Sequence, residues 1–124
     1  MKKKYYITTP IYYPSAKPHM GHAYSSISAD FIARYKRLEG YDVKFVTGAD
    51  EHGQKIQKSA DERKLSPDVF CNEISKVFLD LTKTLNLSNT DFIRTTEERH
   101  HKTVQKLWKI LEEKKFIYLS KYTG

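Results

Sequence analysis

A strand, a long helix and a second strand fill residues 5–48, and that order constrains the fold more than any other feature of the chain. Tyr5 to Pro10 has the β-branched and aromatic side chains of a short buried strand, ended by Pro10. From Gly21 to Glu39, the residues Tyr24, Ile27, Phe31, Tyr35 and Leu38 recur at helical spacing, and Gly40 supplies a stop. Asp42 to Thr47, with Val43, Phe45 and Val46, reads as the second strand, ended by Gly48. Two strands joined by a helical crossover lie parallel, with a right-handed connection. The expected fold class is therefore α/β, a Rossmann-like doubly wound parallel sheet.

The remaining sequence continues the pattern. Ile11 to Pro18 is a loop, because Pro14 and Pro18 each push the residue before them toward extended backbone. Gln54 to Lys64 reads as a short helix, and Ser66-Pro67 as the cap and first turn of another. Val69, Phe70, Ile74, Val77, Phe78, Leu81 and Leu85 give that helix its apolar stripe. Phe92-Ile93-Arg94 is expected to be a third strand. Thr95 and Glu98 have capping-box spacing ahead of a helix with Val104, Leu107, Trp108 and Leu111 inward, and Phe116 to Leu119 is a last short strand. No repeat, linker or low-complexity segment interrupts the order.

In open parallel sheets, ligands sit beyond the carboxyl ends of the strands. Two polar clusters fall there. The first strand delivers Pro10 to His22 and the second delivers Gly48 to Gly53, so neighbouring strands place both loops on one rim. His19-Met20-Gly21-His22 opens a helix, where free backbone N–H groups and the helix dipole favour an anion. Two imidazole N–H groups beside them suit the charge that develops on an α-phosphate during nucleotidyl transfer, and Gly21 leaves the backbone open to a base or ribose. The pattern points to ATP; a metal pair or a plain helix start are the competing readings.

Asp50, at a strand exit, suits a substrate ammonium group, or equally an N-cap for the helix beginning near Gly53. Tyr12 and Tyr13 read as pocket lining or core, with Tyr13 favoured for ligand contact. Glu51 and His52 read as braces of their loop. His100 and His101 have no partners at metal-ligand spacing and read as surface histidines, Trp108 as core, and Cys71 as an inert thiol.

The net charge of +7 would favour a polyanion, but Lys102, Lys106, Lys109, Lys114 and Lys115 interleave with Glu112 and Glu113 as on a solvated helix face. No apolar run approaches the roughly 20 residues that span a bilayer, so no membrane partner is expected. Lys2 to Lys4 precede no apolar segment of the kind a secretory signal needs. A lone cysteine excludes an internal disulfide framework and any Cys-x-x-Cys zinc site within these residues. The expected setting is cytoplasmic.

Three segments together resemble one family. Thr8-Thr9-Pro10-Ile11-Tyr12-Tyr13, then Pro18-His19-Met20-Gly21-His22-Ala23-Tyr24, then Thr47-Gly48-Ala49-Asp50-Glu51-His52-Gly53 are similar to the bacterial methionyl-tRNA synthetases, class I aminoacyl-tRNA synthetases with a Rossmann-type catalytic domain. Phe92 to Thr96 with Glu98-Arg99-His100 extends the likeness along nearly the whole chain. His-x-Gly-His alone would indicate only a class I synthetase or a related nucleotidylyltransferase; the other two segments point to methionine.

The resemblance implies that His19 and His22 are catalytic and, with Gly21, hold ATP. It implies that Pro10, Ile11, Tyr13 and Asp50 bind methionine, with Asp50 taking the ammonium group. The substrates implied are L-methionine, ATP as its Mg2+ complex, and tRNA(Met) with the initiator tRNA. Met20 and Ala49 stand at positions where relatives vary, with little consequence expected.

The family is several times longer, and its lysine-bearing KMSKS loop, connective insertion and anticodon-binding domain have no counterpart here. Residues 1–118 are thus expected to form the N-terminal half of the catalytic domain, and 119–124 the start of the connective insertion. Any zinc site would lie beyond residue 124. Two alternatives stay open on sequence: a non-catalytic nucleotide-binding partial domain, and a small nucleotidylyltransferase. The Asp50-Glu51-His52-Gly53 cluster argues against the second.

Overall fold

The computed structural model describes residues 2–123. The elements run β1 (Lys4–Thr8), α1 (Met20–Leu38), β2 (Asp42–Ala49), α2 (Gln54–Glu62), α3 (Pro67–Thr84), β3 (Asp91–Arg94) and α4 (Glu98–Glu113). The strands form a parallel sheet in the order β1-β2-β3. Tyr6 pairs with Lys44 across the first ladder, and Thr47 with Phe92 across the second. The βαβ unit and the third strand stand where sequence patterning put them.

Two apolar clusters hold the helices to the sheet. One joins Ala29 and Ala33 of α1 to Val43 and Phe45 of β2, with Tyr5, Ile7 and Tyr41 at its edge. The other lies toward the carboxyl end of the strands, where Tyr12 meets Ile56 and Ala60 of α2 and Phe70, Cys71, Ile74 and Phe78 of α3. Alternation along β2 buries Val43, Phe45 and Thr47 on one face and leaves Lys44 exposed on the other. Tyr6, on the same side as its register partner Lys44, is also exposed.

Helix α1 reverses a natural expectation from its sequence. Its apolar periodicity does mark a helix, yet Tyr24, Phe31 and Leu38 are exposed and the face against the sheet carries Ser26, Ala29, Asp30 and Ala33. Small side chains let the helix lie close to Val43 and Phe45. Asp30 is anchored: its carboxylate accepts from the Ser88 N–H at 2.6 Å and from Arg34 Nε at 2.6 Å. Burial alone would raise the Asp30 carboxyl, but the bonds from Ser88 and Arg34 hold it below its ordinary value.

Four sequence expectations are corrected. Gly48 does not end β2, which runs on through Ala49; glycine is needed there because a Cβ would lie 2.0 Å from the carbonyl oxygen of Ile93 on β3. Thr95 does not build a capping box, since α4 starts from Glu97 without a side-chain cap and the Thr95 hydroxyl accepts the Glu51 N–H instead, at 2.8 Å. The stripe of α4 is not inward: Val104, Leu107 and Trp108 are exposed, Trp108 by 54%, so Trp108 is not core in this chain. Phe116 to Leu119 forms no strand and is not part of the sheet; Phe116, Tyr118 and Leu119 are exposed, without the burial that would hold them against it.

Candidate active site

The loop leaving β1 is stitched to the end of β2. The Tyr12 N–H donates to the Gly48 carbonyl at 2.7 Å, and the Asp50 N–H donates to the Tyr12 carbonyl at 2.7 Å. Tyr12 and Ala49 thereby form a parallel bridge one step beyond the strands. Below it, the Thr9 and Thr47 hydroxyls share a buried hydrogen bond of 2.6 Å. Two loops far apart in sequence are therefore held as a single rim.

Tyr12 resolves the tyrosine ambiguity. It is core, 1% exposed, stacked on Phe78 at 4.8 Å and bonded through its hydroxyl to Ser26 at 2.6 Å. Tyr13 turns the other way, half-buried, and its hydroxyl donates to the His52 carbonyl at 3.1 Å. Pro10 and Ile11 stay exposed on the rim. Gly53 follows at φ +111°, a backbone state that favours glycine, with the Tyr13 hydroxyl 2.8 Å from where a Cβ would sit.

The histidines cap their own helix. His19 Nδ1 accepts the Gly21 N–H at 3.1 Å, and His22 Nδ1 accepts the His19 N–H at 3.1 Å. This is the reciprocal geometry of a capping box, made by two imidazoles in place of a hydroxyl and a carboxylate. With Nδ1 accepting in both, the proton of each neutral ring sits on Nε2, so each presents an N–H at its outer tip. The rings lie 3.9 Å apart. A Cβ on Gly21 would stand 3.0 Å from His19 Cε1, so glycine also makes room for the His19 ring. Burial and the adjacent His19 both push the His22 imidazolium below its ordinary pKa. The result is two imidazole N–H donors at the positive end of a 19-residue helix.

Tyr12 joins the two halves of the rim, because its carbonyl takes the Asp50 N–H while its ring lies 5.7 Å edge-on from His22. Asp50 is half-buried, and among the described residues its carboxylate has no hydrogen-bond or ion-pair partner. It does not cap α2, whose N-cap is Gly53 without a side-chain bond. The carboxyl edge thus carries a half-buried carboxylate without a partner among the described residues and, linked to it through Tyr12, two imidazole N–H groups.

Glu51 points inward. Its side chain is fully buried, with Oε1 2.6 Å from Arg94 Nε, and it also accepts from the Ser75 and Thr96 hydroxyls. His52 faces α4, where His101 stacks over it at 6.0 Å, so His101 and its half-buried neighbour His100 are not simple surface residues. Cys71 is buried, and burial together with Glu51 raises its thiol pKa, which suits an inert role. A cleft of about 450 Å3 lies beside the rim, against Glu51, His52, Gly53, Ile56 and His101. It does not include His19, His22, Ile11 or Asp50, which line an open edge. Among the described residues, no group of three or more His, Cys, Asp or Glu is placed to hold a metal ion.

Sequence reasoning missed Ser26, which takes the Tyr12 hydroxyl and donates to the His22 carbonyl at 2.7 Å. It also missed the polar cluster around Glu51; the signal available was the Arg94-Thr95-Thr96 run just after β3, which supplies most of the partners.

An open parallel sheet with donor-rich and acidic loops joined at its carboxyl edge is the architecture of a Rossmann-like α/β domain. The family model described as tRNA synthetases class I (M) matches residues 5–124, and the chain belongs to that family. The methionine–tRNA ligase of Listeria monocytogenes is 55% identical over 123 residues, 99% of this chain and 18% of the relative. That of Ureaplasma parvum is 54% identical over 123 residues, 99% of this chain and 24% of the relative. The chain thus spans about a fifth of the length of these curated relatives. Among solved structures, Mycobacterium tuberculosis methionyl-tRNA synthetase in complex with methionyl-adenylate superimposes with TM-score 0.95 and 45% identity, over 98% of this chain and 24% of that one. A leucyl synthetase–tRNA complex from Agrobacterium radiobacter, at 24% identity and TM-score 0.83, covers 94% of this chain and 15% of that one, and shares the fold.

Proposed function

We propose that this chain carries the first ATP and methionine contacts of a methionine–tRNA ligase. In that reaction the carboxylate of L-methionine attacks the α-phosphate of Mg-ATP, releasing pyrophosphate and forming methionyl adenylate. A terminal ribose hydroxyl of tRNA(Met) or initiator tRNA then attacks the acyl carbon and AMP leaves. His19 and His22 donate from Nε2 to phosphate oxygens as charge builds on them, which is where preorganised donors lower a barrier most. Gly21 keeps the helix start open to the adenosine. Asp50 pairs with the ammonium group, and Pro10, Ile11 and Tyr13 line the side-chain pocket. The solved relative bound to methionyl-adenylate supports ligand identity. The observation that carries the reading is the single-residue link through Tyr12, which sets His22 and Asp50 on one rim.

The experiment is L-methionine-dependent exchange of pyrophosphate into ATP, run on the 124-residue chain and on a longer polypeptide that contains it. Exchange is expected from the longer polypeptide only, since these residues supply one end of the nucleotide site. In the active form, Asp50→Ala should raise KM for methionine on the order of 100-fold, the scale of a lost charged hydrogen bond, with far less effect on ATP. Equal losses for both substrates would contradict the assignment.

A further inference from the structure

Asp50 is useful only if its carboxylate stays where the ammonium group arrives, yet among the described residues no side chain holds that carboxylate. What fixes the segment is the next residue. The Glu51 N–H is held by the Thr95 hydroxyl at 2.8 Å, and its fully buried carboxylate by Arg94 Nε at 2.6 Å and by the Ser75 and Thr96 hydroxyls. These partners come from α3, from β3 and from the turn after β3, so Glu51 is tied to the framework on every side. The carboxylate is matched by the Arg94 guanidinium, and both oxygens are occupied, so it is not available to a ligand. Asp50 directly precedes Glu51, so its backbone is held on one side by the Glu51 anchors and on the other by its own N–H bond to the Tyr12 carbonyl, which together limit the directions its carboxylate can take.

We propose that Glu51 is a positioning residue for amino-acid selectivity: its buried anchorage sets the direction of the Asp50 carboxylate, and so the preference for an ammonium-bearing ligand over the same molecule without one. The proposal rests on the reading of Asp50 as the ammonium partner. Loss of Glu51 would let the segment turn, and the ammonium contact would weaken while contacts to the rest of the ligand persisted.

The test compares two ligands that differ at one group: L-methionine and its 2-hydroxy analogue, in which a hydroxyl replaces the ammonium. Dissociation constants for both are measured by NMR titration of an isotopically labelled longer polypeptide that contains these residues and carries out the pyrophosphate exchange, and the readout is their ratio, which a general loosening of the fold does not move. The unaltered polypeptide should prefer methionine. Glu51→Ala should cut that preference by about tenfold, the scale seen when an orienting neighbour is removed from a ligand-binding group, and leave the hydroxy analogue's affinity unchanged. Glu51→Gln keeps the shape and an acceptor toward Arg94, and should preserve most of the preference. Thr96→Val removes a single anchor and should lower the ratio a few-fold; it keeps the test decisive if Glu51→Ala does not fold.

An unchanged ratio in these variants, or equal losses for both ligands, overturns the positioning role. Asp50→Ala separates that failure from the other. If Asp50→Ala leaves the preference intact, or the unaltered exchange-active polypeptide shows no preference for methionine, the ammonium site itself is wrong and the Glu51 proposal falls with it.

Discussion

Gly48→Ala places a Cβ 2.0 Å from the carbonyl oxygen of Ile93, with Ile93 C at 2.9 Å and N at 3.0 Å. All three are backbone atoms of β3, so no rotamer change relieves the contact. Carbon–oxygen contacts settle near about 3.3 Å, which requires the strands to separate by more than an ångström. The register pairs Thr47–Phe92 and Ala49–Arg94 flank the position, and the Thr95 N–H bond to the Ala49 carbonyl at 3.1 Å lies just beyond. Overpacking costs about 1–3 kcal/mol, and each buried bond lost adds about 1 kcal/mol. The expected destabilisation is thus about 3 kcal/mol or more, a large share of the roughly 5–15 kcal/mol that holds a domain folded.

Urea denaturation followed by far-ultraviolet circular dichroism measures it, and the thermal midpoint should fall on the order of 10 °C. Gly40→Ala is the internal control. Gly40 has φ +87° and open space around it, so its alanine variant carries only backbone strain, about 1 kcal/mol. If Gly48→Ala costs no more than Gly40→Ala, the close approach of the two strands is not what selects glycine.

Tyr12→Phe removes the buried hydroxyl bonded to Ser26 but leaves the Phe78 stack, and Ser26 keeps its bond to the His22 carbonyl; the expected cost is about 1 kcal/mol by urea denaturation. Because folding lowers the His22 pKa, the unfolded chain binds the proton more readily, so stability is full above the ordinary histidine value and declines as pH falls through it toward the folded one. Thermal midpoints between neutral and mildly acidic pH should record that decline, and His22→Gln should flatten it. A variant that keeps the full acid sensitivity would locate the titrating group elsewhere.

The order of elements along the chain was legible because its signals were local: alternation in Val43 and Phe45, the Gly40 stop, and Ser66-Pro67 at the start of α3. Failures arose where long-range contact decides. Gly48 looked like punctuation, since the sequence holds no trace of Ile93 lying against it. Thr95 matched a capping spacing, but the buried Glu51 N–H competed for its hydroxyl and won. Apolar periodicity in α1 and α4 identified helices without telling which face the sheet would take, and small residues at Ala29 and Ala33 prevailed because they permit close approach. At the rim, the segments that meet were identified by their place after the strands and Glu51 was read as a loop brace, whereas Ser26, which bonds Tyr12 and the His22 carbonyl, resembled an ordinary polar residue.

The mutual cap of His19 and His22 ties architecture to chemistry at the level of single atoms, since one nitrogen of each ring starts the helix and the other faces outward. An alanine scan here would record frayed secondary structure and a missing donor as one number. Asparagine at position 19 would part them, because it can take over the helix-starting bond but has no second ring nitrogen to offer. Anyone moving this mutual cap to another scaffold must transplant the four residues 19–22 as a unit.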